Sequence, residues 1–349
     1  MKIGFWQCIE FQNDPKYFFS NDKKSFLGEN PIETLQSLFF TKFKFNYKIE
    51  FLNIEKFHEY DAIIFSNWPR NELIVNLLKK RSKPNYLLAL EGPTIDYATW
   101  KKSNHVYFNK IFTWNDLLIK SNKKKYIKIN FPCYKNEKYN LNFKKQKFLI
   151  SISSNKKNPH TNDLYRVRLN FINWAEKNNY TKFDFYGYGW NTYKFENRYT
   201  SKIFKRFSFF NFLLRKKYKN YKGEYLGLKK TLMKNYKFAI CFENSKNYTG
   251  WVTEKIFHCF FAGCIPVYYG ASNITNIIPK NCYIDYRQFK DNEELISYLE
   301  NMSEKKSQNY RKNIKKYLLS DYFKKNFGYN VFPNTIIKQI KDDLLYIKP

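Results

Sequence analysis

Short apolar runs alternate with amphipathic segments through residues 1–140. Apolar residues recur at helical spacing in Ile32–Phe40 and Asn71–Arg81, which predicts two helices. Four apolar runs predict strands: Lys2–Ile9, Asp61–Ser66, Asn85–Leu90 and Lys110–Trp114. Such alternation is typical of βαβ units, whose parallel strands are apolar because helices cover both faces of the sheet. Residues 1–140 are therefore expected to form one α/β domain.

A second series of the same kind follows the polar segment Tyr134–Lys147, which we interpret as an interdomain linker. Helices are predicted at 163–176 and 253–262. Strands are predicted at Phe148–Ser153, Phe183–Tyr186, Phe238–Phe242, Ile265–Tyr269 and Tyr283–Asp285. The pattern places a second α/β domain at 147–330 and a C-terminal tail at 331–349. A chain of 349 residues suits two Rossmann-like domains that face each other across a cleft.

Composition allows a large core but raises a question about charge. The residues are 43% hydrophobic and 21% aromatic, which excludes a largely disordered chain. The net charge of +32 is compatible with a polyanionic partner such as nucleic acid, anionic lipid or a phosphorylated substrate. Because the lysines are spread along the chain, a general compositional bias accounts for most of this charge. Tyrosines between cations in 215–221 could stack on bases, and a solvated basic loop explains them equally well.

The cysteines and the apolar windows bear on location. Six cysteines, at 8, 133, 241, 259, 264 and 282, form no C-x-x-C pair, which is typical of free thiols in a reducing compartment. Glu10 and Asp14 interrupt the N-terminus where a signal peptide is apolar. The most apolar window, Ile256–Tyr269, is shorter than the ~20 residues of a membrane-spanning helix. We expect a cytoplasmic protein, with a lysine-rich C-terminal helix that is solvated or lies on the inner face of a membrane.

The segment 234–270 contains the strongest chemical signal. Glu243 and Asn244 follow a buried strand, at the sheet edge where open α/β folds bind ligands. Thr253 is the expected N-cap of the next helix, which places Glu254 and Lys255 in its first turn. Backbone N–H groups and the helix dipole stabilise a diphosphate there. A structural first turn gains more from acidic residues, so the lysine favours ligand binding.

The order and spacing of these residues resemble the signature of glycosyltransferase family 10, the α1,3/4-fucosyltransferases, in a bacterial-type soluble or peripheral form. The residues that match are Phe242-Glu243-Asn244, Val252-Thr253-Glu254-Lys255, Ile265-Pro266-Val267 and Gly270. The resemblance implies a GT-B architecture, GDP-fucose as the donor, and sugar and phosphate contacts for Glu254 and Lys255. The candidate donor site therefore consists of residues 243–244 and 251–255. Trp251 stands where the family usually has tyrosine, so stacking on the donor replaces a phenolic hydroxyl bond as its expected role.

Two arginines extend the candidate donor site. Arg166 and Arg168 resemble an R-x-R segment on the first helix of the family's donor domain, where an arginine contacts phosphate; Arg166 is the first choice and Arg168 the second. The sequence contains no D-x-D, the usual metal-bound clamp on a nucleotide diphosphate. Fixed cations can stabilise departing GDP instead. No cofactor is therefore required, and Mn²⁺ or Mg²⁺ would be non-essential.

Inverting glycosyl transfer needs a carboxylate that deprotonates the acceptor hydroxyl. Glu91 is the candidate, because a predicted strand ends there and Gly92-Pro93 turns the chain. The family resemblance supports this role, since a glutamate lies at the corresponding place in its acceptor domain and Phe112-Thr113-Trp114-Asn115 resembles a nearby strand. His105 is the fallback base.

The predicted reaction moves L-fucose from GDP-fucose to an acceptor oligosaccharide or glycolipid, with α1,3 transfer to GlcNAc of an N-acetyllactosamine unit as the leading choice. The α1,4 linkage and other acceptors stay open at this point. An inverting transferase with another nucleotide sugar is the first alternative. A basic nucleic-acid-binding protein is the second, and we expect no nucleic acid among the partners.

Overall fold

Two parallel sheets organise the part of the chain that the computed structural model describes, which is residues 2–7, 48–131, 146–191, 216–225, 227, 229–328 and 331–347. The first sheet has the strand order β2-β1-β3-β4-β5-β6 and the second has the order β11-β10-β9-β7-β8. Neighbouring strands in both sheets pair in parallel. The strands are β1 Lys2–Gln7, β2 Lys48–Phe51, β3 Ala62–Ser66, β4 Asn85–Ala89, β5 Lys110–Thr113, β6 Tyr126–Lys128, β7 Lys147–Ile152, β8 Phe183–Tyr186, β9 Tyr236–Phe242, β10 Ile265–Tyr269 and β11 Ile284–Asp285.

Helices connect these strands and extend beyond the second sheet. They are α1 Glu72–Lys80, α2 Tyr97–Trp100, α3 Lys102–His105, α4 Asp116–Ser121, α5 Tyr165–Lys177, α6 Lys229–Met233, α7 Glu254–Phe261, α8 Asn292–Glu300, α9 Glu304–Leu319, α10 Asp321–Phe327 and α11 Val331–Ile347. Several begin at a side-chain cap: Asn71 accepts from Ile74 N, and Thr253 accepts from Lys255 N. The two α/β domains and the GT-B arrangement predicted above are confirmed.

The last helix corrects one prediction. Residues 331–349 were expected to form a tail, but α11 packs its apolar face against the first sheet. Phe332, Ile336, Ile340 and Leu344 join β-strand residues such as Ile64 in one buried cluster. Asp343 accepts a hydrogen bond from Tyr86 Oη (3.0 Å) and pairs with Lys110 Nζ (2.5 Å). The chain thus returns from the second domain to complete the first.

The basic helix α9 has one apolar side, and that side is buried. Ile314, Tyr317 and Leu318 pack in the core of the second domain together with Phe323 of α10. Lys315 and Lys316 remain exposed, as a solvated helix face requires. Among the described helices, none combines the length and apolarity that crossing a bilayer requires.

Some sequence predictions fall outside the described residues. The predicted helix 32–40, most of the linker 134–147 and most of the basic aromatic stretch 191–222 lie there. The end of that stretch is described, and its tyrosines are packed against the second domain. Tyr218 and Tyr221 contact the Phe185 ring at centroid distances of 5.5 and 5.3 Å. These rings are therefore partly buried and not arrayed for base stacking.

The carboxyl edges of the two sheets meet. Trp114, which follows β5, packs edge-on against Trp251, which precedes α7, with ring centroids 4.5 Å apart. Thr94 Oγ1 hydrogen-bonds Ser245 Oγ, and Asn158 Nδ2 donates to Thr94 O (2.5 Å). These contacts bring the loop after β4 of the first domain against the loops after β7 and β9 of the second.

Candidate active site

Glu243 is the fully buried centre of the second domain's half of the site. It follows β9, and its side chain is 0% exposed. Its carboxylate accepts hydrogen bonds from Thr253 N (2.9 Å), Thr253 Oγ1 (2.7 Å) and Lys255 Nζ (3.2 Å). A buried carboxylate is stable only when such partners compensate for lost hydration. Glu243 therefore ties the end of β9 to the start of α7, and its oxygens are already engaged.

Lys255 projects from the first turn of α7 beside two carboxylates. Its Nζ lies 3.2 Å from Glu243 Oε2, 3.8 Å from Glu254 Oε1 and 3.1 Å from Thr253 Oγ1. The side chain keeps 27% of its surface exposed, so the ammonium group can still reach a ligand. The N-terminus of α7 adds the positive end of its dipole at the same place.

The pKa values in this cluster follow from the paired charges. Burial lowers the pKa of Lys255, but the carboxylates of Glu254 and Glu243 outweigh burial and hold that pKa above its ordinary value. For Glu254, burial raises the pKa, but the positive charges of Lys255, Lys229 and His258 outweigh burial and lower the pKa to about 2. At neutral pH the first turn of α7 therefore carries one fixed cation and one fixed anion.

The two candidate arginines lie in different places. Arg168 is 5% exposed, and its Nη2 donates to Phe242 O (2.7 Å), to Asn244 Oδ1 (3.1 Å) and to Glu243 O. Arg166, the first choice from the sequence, is 60% exposed and donates to His160 O (3.3 Å). The structure therefore brings Arg168 into the cluster with Asn244 and leaves Arg166 outside it.

Glu91 forms the first domain's half of the site. It follows β4, and Asn67, which follows β3, accepts hydrogen bonds at Oδ1 from Leu90 N (3.1 Å) and Glu91 N (3.3 Å). Trp100 Nε1 donates to Glu91 O (2.9 Å). These contacts fix the backbone of Glu91, while no hydrogen bond or ion pair to the described residues engages its carboxylate.

The pKa of Glu91 responds to groups from both domains. Burial raises this pKa above its ordinary value, and the negative charges of Glu254 and Asp96 act in the same direction. The cations Lys255 and Lys156 of the second domain oppose the rise. A raised pKa is what a general base requires, so Glu91 stays the candidate for that role.

Trp251 and Val252 are buried, which corrects their expected place in the donor site. The Trp251 side chain is 1% exposed, and the ring lies against Trp114 and over Gly92, where an added Cβ would overlap it. Val252 is 2% exposed within the core of the second domain. The stacking on the donor expected of Trp251 is not available in this conformation, and the indole instead helps to join the domains.

The fallback base His105 has a structural role, and two residues near Glu91 were not predicted. His105, the fallback base, is 3% exposed and its ring nitrogens contact Tyr126 Oη and Thr99 O, each at 2.9 Å, as a structural histidine does. Asn67 and Trp100 were not predicted as site residues, although an asparagine directly after a strand indicates a turn. In the described ranges, no group of three or more His, Cys, Asp or Glu side chains is arranged to hold a metal ion.

Two parallel-sheet α/β domains that meet at their carboxyl edges have the GT-B arrangement, with Glu91 on the first domain and Lys255 at the N-terminus of α7 on the second. The chain belongs to glycosyltransferase family 10, because the family model "Glycosyltransferase family 10 (fucosyltransferase) C-term" matches residues 142–324. The resemblance seen in the signature residues is thereby confirmed.

Individual relatives match over shorter stretches. The α-(1,3)-fucosyltransferase FucT of Helicobacter pylori is 35% identical over 71 residues, which cover 20% of this chain and 15% of the relative. The α-(1,4)-fucosyltransferase of Arabidopsis thaliana is 35% identical over 72 residues, 21% of this chain and 18% of the relative. The chain thus aligns with less than a fifth of the length of either relative.

Solved structures resemble the chain over almost its whole length. A crystal structure of an α1,3-fucosyltransferase with GDP has a TM-score of 0.55 at 16% identity and covers 99% of this chain and 90% of that one. Anabaena HepE in complex with UDP and glucose also has a TM-score of 0.55, at 10% identity, covering 98% of this chain and 100% of that one. These likenesses establish the fold.

Proposed function

We propose that this protein is an inverting fucosyltransferase that moves L-fucose from GDP-fucose to a hydroxyl of an acceptor glycan. The observation that carries the proposal is that the carboxyl edges of the two sheets meet, through the contacts of Trp114 with Trp251 and of Thr94 with Ser245. Across this boundary the charge of Lys255, at the helix N-terminus of the second domain, lowers the pKa of Glu91 on the first. A base for the acceptor and a cation for the leaving group would thus lie on opposite domains.

The chemistry assigned to Glu91 is general-base catalysis. As the acceptor oxygen attacks C1 of fucose, its proton passes to the Glu91 carboxylate. The bond between C1 and the β-phosphate oxygen breaks, and GDP departs with the electron pair. Because attack and departure occur on opposite faces of the sugar, the configuration at C1 inverts.

The residues assigned to GDP-fucose are those around α7. Lys255 and the N-terminal amides of α7 would stabilise the charge that develops on the diphosphate. Glu254 supplies a carboxylate for sugar hydroxyls. Arg168 would hold the end of β9 in place, because it donates hydrogen bonds to the carbonyls of Phe242 and Glu243. Arg166 would have to leave its contact with His160 to reach the diphosphate. Because these groups would stabilise the diphosphate, we do not include a metal ion in the proposed mechanism.

The acceptor is proposed to be an N-acetyllactosamine-type glycan, fucosylated at O3 of GlcNAc and carried by an oligosaccharide or a glycolipid. Solved relatives described as α1,3-fucosyltransferases with GDP and with GDP-fucose share this fold. A contact with anionic membrane would depend on the exposed Lys312, Lys315 and Lys316, because the apolar side of α9 is buried. Liposome binding that persists at high salt, or after charge reversal of these lysines, would contradict that contact.

A donor panel tests the proposed reaction. The purified protein is given GDP-fucose, GDP-mannose or UDP-galactose, each with and without N-acetyllactosamine, and release of GDP or UDP is measured. We expect release with GDP-fucose that depends on the acceptor. Turnover of a different donor would mean that the enzyme transfers another sugar. Release of GDP or UDP that does not depend on the acceptor, with every donor, would contradict the proposed transfer.

A further inference from the structure

The short helix α2 lies directly after the Glu91 turn and has two different faces. The inward face is fixed by a buried network in which Thr99 Oγ1 donates to Asp96 Oδ2 (2.6 Å) and accepts from Trp68 N (2.7 Å). His105 contacts Thr99 O in the same network. The helix is therefore held rigidly against the first domain.

The outward face carries Tyr97, and Lys101, the residue that follows the helix, lies beside its ring. Trp100 instead packs against the core of the first domain. Trp100 reaches Glu91 directly through the bond from its Nε1 to Glu91 O. Tyr97 lies one helical turn before Trp100 in the chain. The exposed Tyr97 is thus one turn away from the residue that contacts the candidate base.

Tyr97 is 69% exposed, although the helix beneath it is fixed. Lys101 Nζ lies 5.3 Å from the centre of the Tyr97 ring, which is cation–π distance. One side of the ring is therefore covered by a cation, and most of the side chain is exposed to solvent. A rigidly mounted aromatic ring with a flanking hydrogen-bond donor suits the apolar face and hydroxyl rim of a pyranose.

We propose that Tyr97 and Lys101 form an acceptor subsite, in which a pyranose ring of the acceptor stacks on Tyr97 while Lys101 donates to its hydroxyls. The inference rests on the proposed function, since Glu91 must receive a proton from the acceptor. The acceptor has to approach Glu91 beside the first domain, because the donor site belongs to the second. On that domain Trp100 contacts Glu91 and Tyr97 lies one helical turn before it, so the exposed ring of Tyr97 lies near the expected path of the acceptor.

Acceptor kinetics test the subsite. GDP release is measured with saturating GDP-fucose and varied N-acetyllactosamine for the wild type, Tyr97→Ala, Tyr97→Phe and Lys101→Ala. We expect Tyr97→Ala to raise the acceptor KM about 3- to 10-fold, the range of an aromatic contact. Tyr97→Phe should keep the wild-type KM, because the ring supplies the contact. The KM for GDP-fucose and the slow hydrolysis of GDP-fucose by water should not change.

Tyr322→Ala is the matched control, because Tyr322 is 45% exposed on the second domain and far along the chain from α2. It should leave the acceptor KM at the wild-type value. An unchanged acceptor KM in Tyr97→Ala, with a wild type that turns over, would overturn the subsite and leave the proposed function intact. Absence of GDP-fucose turnover in the wild type with every donor–acceptor pair would overturn both.

Discussion

Glu91 has a fixed backbone, and no described residue hydrogen-bonds or ion-pairs with its carboxylate. A substitution there can therefore test the chemical step apart from donor binding. Glu91→Gln keeps the size and the backbone bonds of the residue but removes the base. We expect transfer to fall by about 10²- to 10⁴-fold, the usual contribution of a general base. The affinity for GDP, measured by isothermal titration calorimetry, should stay within about twofold of wild type.

The pH dependence of transfer gives the second part of this test. Below its pKa Glu91 is protonated and cannot accept a proton, so the rate should rise with pH through that pKa. Burial raises the pKa of Glu91 above its usual value, so the midpoint should lie above that of an ordinary glutamate. Single-turnover rates between about pH 4 and 8 would show this limb. A wild-type rate that does not vary there would argue against Glu91 as the base.

Lys255 should act mainly on donor binding. Lys255→Ala removes the cation at the N-terminus of α7 and one partner of buried Glu243. We expect GDP affinity to fall about 10- to 100-fold, and the free energy of unfolding to fall by about 1.5–3 kcal/mol, as for hydrogen bonds to charged groups. Calorimetry and urea unfolding measure the two effects.

Arg166→Ala is the control for Lys255, because the Arg166 side chain is 60% exposed and outside the cluster. It should change neither GDP affinity nor stability by more than a small amount. A large loss of GDP affinity in Arg166→Ala would instead restore the assignment made from the sequence.

At the scale of elements, Asn67 connects the ends of β3 and β4. It has a φ of +62°, a left-handed conformation that asparagine tolerates better than most residues, and its Oδ1 accepts from Leu90 N and Glu91 N. Asn67→Gly keeps the backbone conformation but removes both bonds. We expect kcat to fall while the KM for GDP-fucose stays near wild type, since only the base is displaced.

Asn67→Asp separates positioning from general loss of structure. The substitution keeps an acceptor oxygen for both amides but adds a negative charge beside Glu91. A nearby like charge raises a carboxyl pKa, so the rate limb should move to higher pH than in wild type. Identical pH profiles for wild type and Asn67→Asp, with full activity in Asn67→Gly, would show that Asn67 does not position Glu91.

The elements that the sequence predicted best are those whose own residues decide their structure. Apolar runs such as Phe238–Phe242 become strands because both faces are covered by helices. The edge strands Lys48–Phe51 and Tyr126–Lys128 were missed because they are short and only partly apolar. The four-residue helices α2 and α3 carry too little periodicity to be read from sequence.

The site residues show where local patterns were insufficient. Arg168 lies four residues after Leu164 and three before Phe171, both buried, so helical spacing alone places it on the inward face of α5. The order of the two arginines could therefore have been predicted. The burial of Trp251 could not, because it depends on Trp114 and Gly92, which are distant in sequence.

At the scale of the whole molecule, the fit of Trp251 over Gly92 controls how the domains meet. A Cβ at position 92 would overlap the six-membered ring of Trp251. Gly92→Ala should therefore separate the domains locally and lower the free energy of unfolding by about 1–3 kcal/mol, as overpacking does. Transfer should fall as well, because Glu91 is the adjacent residue.

A double-mutant cycle distinguishes this overlap from a backbone effect. Trp251→Leu removes the ring that a Cβ at position 92 would meet. If the overlap is the cause, Gly92→Ala should cost less stability in the Trp251→Leu background than in wild type, by more than about 0.5 kcal/mol. Additive effects of the two substitutions would mean that the domains do not depend on this contact.

The helix α11 makes the first domain depend on the last residues of the chain. Ile340 is fully buried against the first sheet, whereas Lys338 on the same helix is exposed. Ile340→Ala should lower the free energy of unfolding by about 2–5 kcal/mol, because it leaves a cavity in the first domain's core. Lys338→Ala should change it by less than about 0.5 kcal/mol. Because α11 packs against the first sheet, the loss of stability should appear when the first domain unfolds. Exposure of Trp114, which follows β5 of that domain, reports this transition. A segment acting as a mere tail would give equal unfolding curves for both variants.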